Sequence, residues 1–209
     1  MINDKIAPPS TSGLGFGLSL KEQPLRVKGS VHIKEQLSNG EWRTLLQKGN
    51  IYTLDGGVLA AMLFSGVNRG LNMLAVGTGA SGNASSPDVA DNRQRRLNTE
   101  LARKAFASTV YRDEVGAVSA VPTNVVDFTT IFEGAEANGG LTEMGLLATA
   151  DADPLVTTPV LEGGVPVVFP NRDTAVDLGS YDILVNYLSF PVINKINGSV
   201  LAITWRLTF

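Results

Sequence analysis

The chain of 209 residues contains no cysteine and only one histidine, His32. Without cysteine there is no disulfide, no thiol nucleophile and no thiolate ligand for a metal. One histidine is too few for a histidine-rich metal site, and a catalytic triad would need more partners than the chain contains. No Gly-x-Ser-x-Gly motif is present either. We therefore expect a protein that is not an enzyme and that has no catalytic residue, cofactor or metal site.

Charge and long apolar runs are also scarce. Charged residues make up 18% of the chain, and the formal net charge is −3. Nucleic-acid-binding proteins usually carry a basic excess, so we expect no nucleic-acid partner, and weak charge favours association between copies. The chain has no run of about 18 apolar residues, so no membrane span is predicted. The N-terminal MINDKIAPPSTSG lacks the layout of a signal peptide, so we expect no membrane contact and synthesis in a cytoplasm.

The chain does have strong alternation of apolar and polar residues, most clearly in its last stretch, SVLAITWRLTF. Leu201, Ile203, Trp205, Leu207 and Phe209 share one phase, which is the period of a strand with one buried face. We predict that this strand lies inside a sheet, with Trp205 and Phe209 in the core. The same phase rule predicts a strand in NVVDFTTIFEG whose buried face includes Phe128 and Phe132, and further strands over 71–76 and 106–112.

The N-terminal stretch, 1–24, differs from the rest because prolines and glycines punctuate short apolar residues. Leu14, Phe16, Leu18 and Leu20 alternate and would be costly to leave in water. The alternatives are a disordered tail and an extended arm that becomes ordered on a neighbouring subunit, and we predict the arm. The remaining residues, 25–209, are expected to form one domain.

A hairpin and one short helix follow the arm. Apolar and basic residues alternate from Leu25 to Lys34, Asn39-Gly40 gives a turn signal, and Trp42, Thr44 and Leu46 continue in phase. The basic outer face is interpreted as solvated, with an anion site as the alternative. A helix is predicted near 54–65, with Thr53 as N-cap, Gly66 or Gly70 as its end, and a core-facing stripe of Val58, Leu59, Met62 and Leu63.

Three stretches resemble chemical sites without completing one. GTGASG lacks the Gly-Lys-Ser/Thr of a phosphate-binding loop. The Arg93, Arg95 and Arg96 cluster has Asp88, Asp91 and Glu100 around it, which favours salt bridges over phosphate binding. Glu133, Glu136 and Glu143 fall close together in sequence, yet GAEANGG is interpreted as a turn between two strands, with the acidic residues in solvent.

The last third of the chain contains an insertion and two final strands. Residues 151–181 are rich in proline, glycine and aspartate, which is typical of a long contact loop inserted between core strands. The two strands after it, joined by a loop with Lys195, Asn197 and Gly198, are expected to form a hairpin or sheet pair. The predicted fold is mainly β: an antiparallel, jelly-roll-like β-sandwich with one short helix and an extended N-terminal arm.

Four blocks carry a resemblance to a known family. LNMLAVGTGA, LNTELARKAFASTVY, VVDFTTIFEGAEANGGLTEMGLL and YLSFPVINKINGSVLAITWRLTF occur in this order. They resemble the successive signatures of bacteriophage virion proteins labelled tail fibre, tail-collar or baseplate-associated proteins. The similarity covers roughly 71–209 apart from 151–180, and it leaves the arm and first hairpin outside.

The resemblance implies a β-sandwich structural subunit of a phage particle, in the tail, collar or baseplate, whose partners are other copies of itself and neighbouring virion proteins. Its expected localisation is the virion, after assembly in the host cytoplasm. A head decoration protein that stabilises the capsid is one alternative, and a receptor- or glycan-binding domain is another. The residues expected to carry core packing and assembly are Trp205, Phe209, Phe128, Phe132, Leu14, Phe16 and Leu18.

Overall fold

A computed structural model describes residues 27–66, 70–79, 89–149 and 182–209, together with the backbone of 161–162 and 165–166. The predicted arm, with Leu14, Phe16 and Leu18, lies outside these residues. So does nearly all of the predicted insertion, of which two short paired strands, β10 (Leu161–Glu162) and β11 (Val165–Pro166), are described.

Two antiparallel sheets make up the described fold, with strands numbered in chain order. The six-stranded sheet runs in the spatial order β2 (Trp42–Gly49), β1 (Lys28–Gln36), β13 (Val200–Thr208), β8 (Val125–Phe132), β6 (Ser108–Arg112) and β7 (Val118–Ser119). The five-stranded sheet runs in the order β3 (Ile51–Tyr52), β12 (Ile183–Lys195), β9 (Gly139–Ala148), β4 (Met73–Gly77) and β5 (Glu100–Ala105).

The main core lies between the two sheets. It combines apolar residues of the six-stranded sheet with apolar residues of the five-stranded sheet in one buried cluster that includes Ile33, Phe132, Trp205, Met144 and Phe190. Interlocking of two inner faces in this way defines a β-sandwich. The predicted antiparallel β-sandwich with one short helix is therefore confirmed.

The C-terminal strand is held in the middle of its sheet. β13 pairs with β1 on one side, where Val31 faces Trp205, and with β8 on the other, where Phe128 faces Trp205. Its burial alternates strictly along Leu201, Ile203, Trp205 and Leu207. The prediction that this strand lies inside a sheet is confirmed.

The expected pairing of the last two strands is wrong. β12 belongs to the five-stranded sheet and β13 to the six-stranded sheet, so the loop between them is a corner that crosses the sandwich. The GAEANGG turn is a second corner of this kind, because it leads from β8 in one sheet to β9 in the other. Alternation identifies which side chains are buried, and it does not specify which strands pair.

The first hairpin forms as predicted, with one change of phase. β1 and β2 pair antiparallel around a turn in which Gly40 has a φ of 85°. A register shift opposite Ile33 and Lys34 places Leu46 against Ile33 and Thr44 against Lys34, so Leu45 is the extra residue of a β-bulge. Trp42 and Thr44 are therefore out of phase with Leu46, and Trp42 remains 44% exposed.

The predicted helix is α1 (Leu54–Phe64), and it begins where the N-cap signal placed it. The Thr53 hydroxyl accepts a hydrogen bond from the Gly56 amide at 3.0 Å and donates to the carbonyl oxygen of Leu184 at 2.5 Å. The helix ends at Phe64 with Ser65 as its C-cap, and the next residue, Gly66, has a φ of 87°. Its predicted core stripe is confirmed only in part, because Leu59 is buried while Leu63 is 47% exposed.

No helix among the described residues is long and apolar enough to cross a membrane.

Candidate functional site

An apolar groove of about 400 Å³ lies at one end of the sandwich, between α1 and the six-stranded sheet. β1, β8 and β12 begin at this end, and β13 and β9 finish there. The groove, called the end groove below, is lined by residues that include Leu59, Leu63, Val126, Phe128, Leu207 and Phe209.

The rim of the end groove, defined here as its exposed lining residues and their neighbours in sequence, includes further exposed apolar side chains. Phe64, the residue after groove-lining Leu63, is 86% exposed, and Val121, the residue before groove-lining Pro122, is 65% exposed. Tyr111 lines the groove and is 36% exposed. Exposed apolar side chains gathered at a groove often mark a site of association with another protein.

The predicted site residues that the structure describes divide between the core and this groove. Trp205 and Phe132 are fully buried in the sandwich core. Phe128 is partly buried, packs against the Phe106 ring with a centroid distance of 4.8 Å, and lines the end groove. The expectation that Phe209 fills the core is wrong, because its side chain is 48% exposed at the groove.

Phe209 lies outside the core because β13 ends at Thr208, one residue before the aromatic ring could continue the buried face. Its backbone is nevertheless held in place. The Phe209 amide donates to the carbonyl oxygen of Asn124 at 2.9 Å, and the Asn124 side-chain amide donates back to the main-chain oxygen of Phe209 at 3.2 Å. A fixed backbone therefore presents a half-exposed ring to the groove.

A second notable feature is the fully buried carboxylate of Glu143 on β9. Its Oε1 accepts hydrogen bonds from the amides of Gly79 at 3.1 Å and Thr99 at 2.8 Å. Its Oε2 accepts from the Asn98 amide at 2.9 Å and from the Tyr187 hydroxyl at 2.8 Å. The expectation that the acidic residues of this region face solvent is wrong for Glu143, whose four donors compensate its loss of hydration.

The carboxylate of Glu143 anchors the segment that precedes β5. Leu97 of this segment packs on the outer face of the five-stranded sheet, against apolar side chains that include Met73, Leu147 and Leu184. At Gly77 and Gly79 an added methyl group would collide with the backbone of Thr99. The glycines of the GTG sequence are thus explained by close packing of two backbone segments against Glu143.

Buried charge recurs next to this anchor. Arg103 donates to both carboxylate oxygens of Glu100, and its Nη1 donates to Asp182 at 2.5 Å. Burial alone would lower the pKa of Arg103, but the two carboxylates outweigh it and raise that pKa, so the guanidinium stays charged. Glu100 was expected to form a salt bridge with the cluster of Arg93, Arg95 and Arg96, and it pairs with Arg103 instead. In that cluster, Arg95 Nε lies 3.9 Å from Asp55 Oδ2.

On the outer face of the six-stranded sheet, Asp127 is buried beneath two arginines. Its carboxylate accepts from Arg206 at 2.7 and 2.9 Å and from Arg112 at 2.8 Å. Burial by itself would raise the pKa of Asp127, but the hydrogen bonds and charges of Arg206 and Arg112 outweigh burial and lower it. This cluster joins β6, β8 and β13, and it lines a small polar pocket of about 140 Å³ with Ser30, His32, Gln47 and Thr204.

The two corners of the sandwich are joined through Lys195. Its ammonium group donates to the carbonyl oxygen of Glu133 at 2.8 Å and to Asn138 Oδ1 at 3.3 Å. The Gly198 amide donates to the Gly134 carbonyl oxygen at 3.0 Å, so the corners pack side by side. Burial lowers the pKa of Lys195. Glu136 is not free in solvent either, because it accepts from Lys104 at 2.5 Å.

Sequence reasoning placed Trp205 and Phe132 in the core correctly, misplaced Phe209, and missed the end groove, the Glu143 anchor and the Asp127 cluster. Glu143 in an apolar strand and Asp127 between Val126 and Phe128 were the available signals, because such carboxylates require partners when buried. Among residues 27–66, 70–79, 89–149 and 182–209, no group of three His, Asp or Glu side chains is arranged to hold a metal ion.

No protein-family model matches the chain, and no curated protein matches it.

Proposed function

We propose that this chain is a structural subunit of a bacteriophage particle, in the tail, collar or baseplate, and that it acts by binding other copies of itself and neighbouring virion proteins. The observation that carries the associative part of this proposal is the end groove with its exposed apolar rim. The virion part is supported by the ordered sequence blocks that resemble phage tail and baseplate-associated proteins.

Apolar side chains exposed at the end groove favour association, because covering them with a partner removes apolar surface from water. Each large apolar side chain gains about 1.5 to 3 kcal/mol on full burial. Leu63, Tyr111 and Phe209 line one groove and are partly exposed, so a partner that covered them would recover part of this free energy. The net charge of −3 gives only weak long-range repulsion between copies.

The groove also has a rigid frame, which favours a fixed interface over a collapsing pocket. α1 is tied to β12 through the Thr53 hydroxyl, and the end of β13 is tied to Asn124. A preformed surface loses less conformational entropy when a partner binds. The Glu143 anchor and the Lys195 corner hold the rest of the sandwich in the same way.

The virion proposal can be tested with an antibody raised against the purified chain. Particles released by the strain that carries the gene would be banded by density and labelled with this antibody and gold. We expect label at a fixed position on the tail or baseplate. Label confined to the head would favour the decoration-protein alternative, and chain found only in the fractions without particles would contradict a virion role.

A glycan-binding role is a second candidate, and one observation favours it. Trp42 is 44% exposed on an edge strand of the six-stranded sheet, and the polar pocket around His32 and Arg206 lies on the outer face of the same sheet. Trp42 pairs with Gln36 and His32 pairs with Gln47, so the ring lies along the hairpin from the pocket, and an exposed aromatic ring on a sheet with polar groups suits sugar binding. Binding of the chain to an immobilised glycan, lost on Trp42→Ala, would support this candidate.

A further inference from the structure

We propose that the end groove of one copy receives the alternating apolar segment Leu14–Leu20 of a neighbouring copy. This inference rests on the proposed role of the chain as an assembly subunit. It identifies the partner of the groove as a second copy of the same chain and the docking element as part of its N-terminal stretch, 1–26.

The first reason is where the described chain begins. Val27 packs against the main core, and Lys28 pairs with Thr208, the neighbour of groove-lining Phe209. The stretch before Val27 is therefore joined to the sandwich at the same end as the groove. A segment joined there is close to the equivalent end of any copy that meets it end to end.

The second reason is the chemistry of the segment. Leu14, Phe16, Leu18 and Leu20 occupy one phase of an extended chain, and Gly15, Gly17 and Ser19 occupy the other. Such a chain offers four apolar side chains to a groove on one face. Its other face is small, so another backbone can lie close to it. The groove is lined by complementary side chains that include Leu59, Leu63 and Phe128.

The third reason distinguishes a neighbouring copy from the same copy. The link from Lys21 to Arg26 separates Leu20 from Val27, and it reaches at most about 20 Å when extended. Pro24 fixes its own φ and biases the residue before it toward extended backbone. A link with this bias favours a neighbouring copy as the acceptor, since insertion into the groove of the same copy would need the chain to reverse within six residues.

Photo-crosslinking with isotope labelling tests this inference on the full-length chain. A photoreactive phenylalanine analogue would replace Leu63, which lines the groove and is 47% exposed. This variant would be mixed in equal amounts with an isotopically heavy wild-type chain, dissociated in urea, reassembled and irradiated. We expect crosslinks to peptides that contain residues 14–20, about half of them heavy, because either kind of copy can donate the segment.

Two matched variants sharpen the test. Phe16→Asp puts a charge on the apolar phase and should reduce the crosslinks to residues 14–20 roughly tenfold or more. Ser19→Asp puts the same charge on the opposite phase and should leave them nearly unchanged. Equal losses in both variants would contradict docking through the Leu14–Leu20 face.

The remaining outcomes show whether docking of residues 14–20 fails alone or together with the proposed assembly role. Crosslinks to light peptides alone would mean insertion within one copy and would overturn the proposal, as would crosslinks only to residues 150–181. If light scattering shows an oligomer and Leu63 gives no crosslink to residues 14–20, the inference fails and the assembly role stands. A chain that stays monomeric at all concentrations would overturn both.

Discussion

At the scale of single residues, this protein is distinguished by buried carboxylates that are fully partnered. Glu143 accepts four hydrogen bonds from backbone amides and Tyr187, and Asp127 accepts three from two arginines. Such groups contribute to the specificity and rigidity of a fold when every partner is present, and they destabilise it when one is removed. Substitution of either carboxylate should therefore be costly.

Glu143→Gln should destabilise the protein by about 2 to 4 kcal/mol. The substitution keeps the size of the side chain but turns one acceptor oxygen into an amide that donates, so two of the four protein donors lose their acceptor. Urea unfolding followed by circular dichroism measures the change. Glu114→Gln is the matched control because Glu114 is exposed, and it should alter stability by less than about 0.5 kcal/mol. Similar effects of the two variants would refute the anchor role of Glu143.

Asp127 should make stability depend on acid. Its folded-state pKa lies below the ordinary value of 3.8, so the ionised carboxylate stabilises the fold above that value. This contribution should fade as the pH falls through the lower folded-state pKa. The difference in unfolding free energy between wild type and Asp127→Asn should therefore be largest above about pH 4 and shrink below it. A difference that stays constant from pH 7 to pH 2 would contradict the ion pairs with Arg112 and Arg206.

At the scale of elements, the fold depends on β13, which lies between β1 and β8 in the middle of the six-stranded sheet. Trp205 is its largest fully buried side chain, and the indole nitrogen has no hydrogen-bond partner among the described residues. Its stabilising effect therefore comes from packing. β13 is held on both sides, and Phe209, the residue after it, is bonded to Asn124, so the end of this strand is held against fraying.

Trp205→Ala should cost about 3 to 5 kcal/mol of unfolding free energy, because it leaves a cavity between the sheets. Phe209→Ala is the comparison within the same stretch, and it should cost much less because that ring is half exposed. Chemical unfolding of both variants at neutral pH provides the measurement. A loss under about 1 kcal/mol for Trp205→Ala would contradict its position in the core.

The elements also show how far sequence reasoning extends. Period-2 alternation located the buried faces of β1, β8 and β13, and Thr53 before an apolar stretch placed the N-cap of α1, because both signals are local. The pairing of β12 with β9 and of β13 with β8 could not be predicted, since a buried face fits either sheet of a sandwich. The bulge at Leu45 puts Trp42 out of phase with Leu46. The alternation of apolar and polar residues in the sequence does not indicate this extra residue.

The candidate site was harder to predict because it is built from residues distant in sequence. Leu63, Phe128 and Phe209 meet only when the end of β13 and the helix come together at one end of the sandwich. Phe209 has the phase of a core residue, and its exposure follows from the end of the strand one residue earlier. Glu143 was noticed as one of three nearby acids, but its donors lie in segments 44 or more residues away.

At the scale of the whole molecule, the two ends of the sandwich differ. One end is closed by paired corners that Lys195 and the Gly134–Gly198 contact hold together. The other end carries the apolar groove, its exposed rim and Val27, where the N-terminal stretch joins the sandwich. This polarity suits a subunit that joins its neighbours in one direction, and the central claim of the proposed function is that the groove end forms the contact.

Light scattering coupled to size exclusion, over a range of concentrations, tests this claim most directly. We predict a wild-type mass well above the 22.1 kDa of one chain. Leu63→Asp at the groove should raise the concentration needed for association roughly tenfold or more. Ile196→Asp, at an exposed apolar residue of the opposite end, should leave it unchanged. A wild-type chain that stays at the mass of one copy, or an Ile196→Asp variant that dissociates as readily as Leu63→Asp, would contradict the account.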